Sequence, residues 1–400
     1  MGWLGLDDTD SLAGGCTTEV FDTLLRQLPN DVTYGTPRLV RLWPFAQRRT
    51  RGNAALSVFI HAEDVDGLMT HLDAWWDTHL ARLDGAFEAS SISDRDQFPA
   101  SPGMVWFEQQ PPPNVYFQAV QSHVSLNDLP LPTRAWGGYG RIGATAAVAW
   151  PATTSTWEAI AWRMKGPEDR PRRVDDDCLD VVDAWPDTFL SRDPRKGVSL
   201  IAPRGKSPVL FGLRATTADV AERGCHLLLD GEETEQVDRW RVFQTNQASG
   251  DHLGDPLRLK VEEVNVHPAR KHATVVCGEV SVRAYAEGGP VNALARWLMP
   301  GDEIAVTGLL DHEGVIHAER MKVEAWVPRT QQRPRCPDCD VRLKSMGAGQ
   351  GLRCPKCKRR SADAWVDVET HPPHASWVEP PAGARRHLAR PLAWDESPSE

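Results

Sequence analysis

Long apolar runs are missing from the chain. None of its 400 residues falls in a stretch approaching the ~18 apolar residues of a membrane span, which argues against a helical membrane protein. The first residues carry acid rather than a basic stretch followed by an apolar core, so no secretory leader is expected and a cytoplasmic protein is. Cysteine is scarce outside one short segment. Cys16, Cys178, Cys225 and Cys277 are scattered, which excludes a disulfide framework and reads as reduced thiols. Net positive charge is also absent, with 45 Lys and Arg against 55 Asp and Glu. That excludes nucleic-acid binding by overall charge but not by one face. The length suits about two to four domains.

Charge is unevenly spread. From about Gln331 to Arg390 there are about twice as many basic as acidic residues, a basic end on an acidic chain that suggests local contact with an anionic polymer. The N-terminus is the opposite. An apolar run, Trp3 to Leu6, reads as a buried strand and ends in Asp7-Asp8-Thr9-Asp10. Gly14 and Gly15 make a turn, and Thr17 and Thr18 open a helical pattern through Phe21, Leu24, Leu25 and Leu28. Mg²⁺ takes one or two carboxylates plus phosphate oxygens, and a helix N-terminus offers free N–H groups to phosphate. The same residues also fit a surface acidic turn with a threonine cap.

Further along, Pro37–Trp43 alternates basic and apolar residues as a half-buried strand does. Arg48, Arg49 and Arg51 precede Gly52-Asn53, a turn beside which guanidinium forks could meet phosphate; a solvated turn is the plainer alternative. Residues 63–86 read as an amphipathic helix. Gly137-Gly-Tyr-Gly140-Arg-Ile-Gly143 opens an Ala-rich segment and fits a backbone cradle for phosphate, as well as an ordinary connection. Residues 166–177 read as a charged linker, 197–202 and 208–213 as two strands, 218–229 as a helix, and 243–253 as a polar interdomain loop. Mixed strands and helices to about residue 250 predict an α+β or α/β core. From 255 to 325, strand-like runs (257–266, 272–281, 302–309, 314–323) with one helix suit a small OB-fold β-barrel that binds oligonucleotides.

Cys336-Pro-Asp-Cys339 and Cys354-Pro-Lys-Cys357 give two C-x₂-C pairs fourteen residues apart. Four thiolates at that spacing fit one closed, tetrahedral, structural Zn²⁺. The segment is too short for a core of its own, so metal would supply its folding energy. Nine Lys and Arg surround it, from Arg333 to Arg360, which suits tracking of phosphates as well as plain solubility.

Taken in order, these motifs resemble the archaeal isoleucine-tRNA 2-agmatinylcytidine synthetase (TiaS) family. The resemblance rests on Asp7-Asp8-Thr9-Asp10-Ser11 with Cys16-Thr17-Thr18, Pro37-Arg-Leu-Val-Arg-Leu, Thr50-Arg51-Gly52-Asn53 and Ile142-Gly143-Ala144. Pro208–Arg214, Thr245-Asn246, the ribbon from Cys336 to Cys354 and Pro381–Leu388 continue it over nearly the whole chain. It implies a multidomain α+β protein: a kinase-like ATP-binding domain and a ferredoxin-like domain within 1–254, an OB-fold at 255–327, a zinc ribbon at 333–362 and a tail at 363–400. It implies a ligase that uses ATP to join agmatine to C2 of the wobble cytidine of the minor isoleucine tRNA (CAU anticodon), through a phosphorylated base. Asp7, Asp8 and Asp10 match its magnesium- and phosphate-handling carboxylates, and Thr18 its autophosphorylated threonine. Thr9, Thr17, Arg51, Gly52, Asn53, Gly140 and Gly143 fall in the matching nucleotide loops. ATP, Mg²⁺ and structural Zn²⁺ are the implied cofactors, tRNA and agmatine the implied partners, with no membrane or protein partner. Two stretches depart from the family. Tyr139 stands where an arginine is usual, with Arg141 two residues later, and residues 166–177 match too poorly to place agmatine. The alternative is a non-catalytic single-stranded nucleic-acid binder built on residues 255–360. It leaves the N-terminal Asp cluster unexplained.

Overall fold

The computed structural model describes residues 1–10, 14–49, 52–87, 96, 98–166, 170–203, 205–368 and 370–395. The chain divides into two compact units, one of residues 1–254, 308–314 and 381–400, the other of residues 255–307 and 315–380.

The first unit is built on one nine-stranded sheet. Its elements are β1 (Gly2–Asp7), α1 (Thr17–Arg26), β2 (Thr33–Tyr34), β3 (Arg38–Arg41), β4 (Ala54–His61), α2 (Val65–His79), β5 (Gly103–Phe107) and α3 (Asn114–Gln121). β6 (Arg134–Gly137), α4 (Arg141–Ala149), β7 (Thr156–Arg163), α5 (Asp176–Asp183), β8 (Val209–Ala215), α6 (Ala218–Leu229) and β9 (Val237–Thr245) complete it. The strand order is β6-β5-β1-β4-β3-β9-β7-β8, with β2 on β4. The pairing of β3 with β9 is parallel and joins the two halves.

Alternation along the strands decides which helix lies on which face. Leu4 and Leu6 of β1, with Leu56, Val58 and Ile60 of β4, are buried with Phe21 and Leu24 of α1 and Leu68 and Leu72 of α2. The intervening positions face α4: Ser57 donates to the Ala147 carbonyl at 2.8 Å. The small residues of α4, Ala144 and Ala146–Ala149, are all buried. α5 and α6 cover Ala159, Ala161, Leu210, Phe211 and Leu213 of β7 and β8.

Several expectations change. Residues 197–202 form no strand: Gly197 turns with φ +66° and Ser199 makes only a single bridge to Arg192. The charged linker is partly fastened, because Arg172 donates to the carbonyls of Pro203, Gly205, Ser207 and Val209 at 2.8–2.9 Å. It also leads into α5, which the periodicity missed and which Asp175 caps by accepting from Cys178 N at 3.0 Å. The amides of 243–253 are core rather than linker. Asn246 is fully buried, accepting from Arg41 N at 2.8 Å and donating to Arg41 O at 2.9 Å, so its side chain imitates a strand neighbour.

The second unit carries a six-stranded sheet in the order β10-β14-β15-β13-β12-β11. These strands are β10 (Leu257–Lys260), β11 (Glu263–Val266), β12 (Ala273–Cys277), β13 (Val280–Ala284), β14 (Glu303–Leu310) and β15 (Val315–Ala325), with α7 (Pro290–Trp297) between β13 and β14. The expected single strand at 272–281 is a hairpin. Gly278 adopts φ +64°, the left-handed value of a tight two-residue turn, and Cys277 pairs with Val280. β16 (Thr330–Gln332) pairs with β20 (Val366–Val368). Between them lies a three-stranded sheet of β17 (Lys344–Ser345), β18 (Leu352–Arg353) and β19 (Arg360–Ser361). No helix among the described residues is long and apolar enough to cross a membrane.

Candidate nucleotide site and metal centre

The end of β1 builds the site. Asp7 continues the alternation of Trp3 and Gly5 and so points to the α4 face. There it meets Gly143, where a Cβ would overlap Asp7 Oδ2. Only glycine allows the carboxylate so close to the first turn of the helix. Asp8 then turns the chain with φ +60°. Its N–H donates to Asp7 Oδ1 at 2.7 Å, and its own Oδ2 accepts from Ser101 N at 3.1 Å.

Two carboxylates held side by side out of water resist ionisation. Burial chiefly, then Asp8 and Asp10, raise Asp7 well above the usual carboxylate range. Burial and Asp10 push Asp8 up to about 7, against the lowering pull of the Ser101 N–H and Arg48. Such groups favour a cation that would restore their charge.

Asp7, Asp8, Asn53, Gly140 and Gly143 line one cavity of about 500 Å³. Asn53 takes φ +41° and donates to the Trp43 carbonyl at 2.6 Å. Arg48 is on the same wall, its guanidinium carbon 4.6 Å from the Phe98 ring centre and 4.4 Å from that of Tyr139. In the sequence Arg48 is one of three neighbouring arginines; stacking on Phe98 and Tyr139 singles it out. Ser122, His123, Ser125 and Asn127, also on this wall, carried no signal in the sequence.

The remaining candidates lie off this cavity or beyond the described residues. Thr17 donates to Asp10 Oδ1 at 2.9 Å, tying the start of α1 to the acidic loop. Thr9 is buried and its hydroxyl has no partner among the described residues. Thr18 is 8 % exposed; its Oγ1 accepts from Trp162 Nε1 at 3.3 Å and lies 2.9 Å from Cys16 Sγ. Gly52 packs on Arg41, which donates to its carbonyl at 3.2 Å. Arg51 lies outside the described residues. Nearby, Glu158 is buried between Arg41 and Arg214, at 3.3 and 3.8 Å. Gln247 donates to Glu158 at 2.5 Å and its Oε1 lies 3.1 Å from His387 Nδ1. Burial first, then the two arginines, hold His387 well below 6.5, as a neutral imidazole.

The four ribbon cysteines converge. The Sγ atoms of Cys336, Cys339, Cys354 and Cys357 lie within 4.8 Å of one another, with Cys336 and Cys357 at 3.6 Å. A tetrahedral zinc with bonds of about 2.3 Å needs sulfur spacings of about 3.8 Å, so the set fits. The two knuckles are alike. The residue after each second cysteine, Asp340 or Lys358, takes a positive φ of 51° or 67° and donates its N–H back to the carbonyl of Cys336 or Cys354. Cys357 N approaches Cys354 Sγ at 3.5 Å, and this backbone donor chiefly lowers the Cys354 thiol to about 6. All four positions are protein ligands, which makes the centre structural rather than catalytic.

These features define a multidomain α/β protein with an acidic-loop cavity beside a helix N-terminus and a four-cysteine ribbon. Three family models match, described as the TiaS TCKD domain (residues 3–131), the TiaS FLD domain (138–252) and the TiaS C-terminal zinc ribbon domain (333–371). The isoleucine-tRNA 2-agmatinylcytidine synthetase TiaS of Methanopyrus kandleri is 30% identical over 434 residues, covering 98% of this chain and 96% of that one. Its counterpart from Methanosarcina acetivorans is 29% identical over 426 residues, with the same coverage. A solved complex of TiaS with its isoleucine tRNA and ATP matches with a TM-score of 0.78 and 26% identity over 100% of this chain and 98% of that one. The chain belongs to the TiaS family of isoleucine-tRNA 2-agmatinylcytidine synthetases.

Proposed function

We infer that the chain is an ATP-dependent ligase that joins agmatine to C2 of the wobble cytidine of the minor isoleucine tRNA. Its relatives bear that name, and solved neighbours hold that tRNA with ATP, or with AMPCPP and agmatine. The observation that carries the reading to these residues is the cavity where Asp7, Asp8, Gly140, Gly143 and Arg48 meet. Asp7 and Asp8, with Asp10 beside them, would hold Mg²⁺, and the first turn of α4 with Arg48 would take phosphate oxygens. Bound ATP supplies the phosphoryl group that makes the C2 oxygen of cytosine a leaving group.

The chain's own part is positioning and charge. Arg48 is fixed on Tyr139, the residue that stands at the family's usual arginine position, and so brings a cation back to that corner. Thr18, beside Cys16 and Trp162, is the candidate phospho-acceptor. We read the sheet of residues 1–254 as a kinase-like part followed by a ferredoxin-like part, 255–327 as an OB-fold, 333–362 as the ribbon and 363–400 as a tail. A cytoplasmic location belongs to the same reading.

The test is incubation of the purified chain with Mg-ATP, agmatine and CAU-anticodon tRNA, followed by mass measurement of the tRNA. A gain matching agmatine in place of the C2 oxygen is expected. Tight tRNA binding without any gain would favour the non-catalytic binder.

A further inference from the structure

The ribbon's basic residues are not equivalent. Arg359 reaches both carboxylate oxygens of Asp338 from Nη1, each at 2.8 Å, Arg335 pairs with Asp340 at 2.9 Å and Arg333 pairs with Asp363. Their charge is largely spent within the protein. Arg342, Lys344, Arg353, Lys356, Lys358 and Arg360 differ. Among the described residues no carboxylate pairs with them. In the sheet register Lys344 lies directly opposite Arg353, and Arg353 directly opposite Arg360.

Residues in register share a face. Three cations therefore stand in one row across three strands, about 10 Å from end to end at a strand spacing of about 4.8 Å. All three are exposed. The neighbouring residue Leu352 alternates to the other face and is buried with Cys336, Leu343 and Cys354. The cysteine cluster thus lies behind the row.

Like charges directly opposite one another destabilise a sheet, and this sheet of two-residue strands has little stability to spare. A row that costs folding energy and has no carboxylate partner among the described residues fits an external polyanion.

We propose that Lys344, Arg353 and Arg360 form the face of the ribbon that grips the phosphate backbone of the substrate tRNA. The proposal rests on the functional reading above and adds which cations do the binding. Each phosphate neutralised contributes about 0.7–0.9 to the slope of log affinity against log salt.

The test measures affinity for CAU-anticodon tRNA against salt with the full-length, zinc-loaded chain. The triple variant Lys344→Gln, Arg353→Gln, Arg360→Gln is expected to bind at least about tenfold more weakly at physiological salt, with a slope shallower by about 2 to 3. Its zinc content should be unchanged and its melting temperature equal or higher. The charge-keeping exchange Lys344→Arg, Arg353→Lys, Arg360→Lys should retain the wild-type slope. The neutral pair Asp338→Asn, Arg359→Gln, which deletes a cation together with its acid, should stay within about twofold of wild type. An unchanged slope in the triple variant overturns the proposal, as does equal loss in the charge-keeping exchange or the neutral pair. If wild type adds agmatine while the triple variant binds normally, only the row is refuted. If wild type binds no tRNA, the functional reading fails with it.

Discussion

Asp8 shows how a residue can be set against stability. Its carboxyl titrates near 7 in the folded chain against 3.8 for the ordinary group. A carboxyl with a raised folded pKa favours the folded state only while protonated. Stability is thus lost as pH rises from about 4 to about 7, and the full cost, on the order of a few kcal/mol, is present at pH 8. Asp8→Asn should therefore melt higher than wild type at pH 8 and equal it near pH 4, while agmatine addition falls at least about a hundredfold. Melting curves at the two pH values check the first part; an Asp8→Asn chain less stable at pH 8 contradicts it. Arg48 acts through its charge on the cavity wall. Arg48→Ala should raise the KM for ATP about tenfold or more with little change in that for agmatine. Tyr139→Phe should behave as wild type because the stacking ring remains, whereas Tyr139→Ala should follow Arg48→Ala. Thr18 makes the third case. Thr18→Ala should abolish transfer of labelled γ-phosphate to the protein and Thr18→Ser should keep it. Label that persists in Thr18→Ala removes Thr18 from that role.

Among the elements, α4 matters most to the cavity. Its alanines let it lie close on β1 and β4, and Gly143 lets its first turn touch Asp7. Gly143→Ala should push the helix off the carboxylate, cost about 1–3 kcal/mol in urea unfolding and lower activity more than the stability loss explains. A well-folded, fully active Gly143→Ala chain would show that the contact is dispensable. The strand-to-helix sequence here was legible because β1 is a short apolar run ending in acid and the glycine loop precedes an alanine run. The hairpin at Gly278 and helix α5 were not. One looked like an unbroken β-rich run, and the other was hidden in charge until its cap residue was seen bonding.

Across the whole chain, the ribbon and the core answer to different forces. The core buries large side chains such as Trp106, Trp150 and Trp162, whereas the ribbon's buried cluster is Leu343 and Leu352 with its cysteines. Metal must supply much of the ribbon's folding energy. Chelation should therefore release zinc and weaken tRNA binding while leaving ATP binding intact. Equal loss of both, measured by titration of each ligand, would mean that the ribbon supports the entire fold.

Spacing and alternation are local, so sequence alone determined the four thiolates, the acidic end of the first strand, the glycine turn before the alanine helix and the basic C-terminal segment. Side-chain partners are chosen across long separations, and these only the tertiary structure decided. It placed Arg48 on Tyr139, buried Thr18 beneath Trp162, turned Asn246 from a linker residue into part of the core, and separated the ribbon's paired cations from three aligned in register with no carboxylate partner among the described residues. Each of those outcomes depends on strand register or helix seating, which set distances between residues tens to hundreds of positions apart.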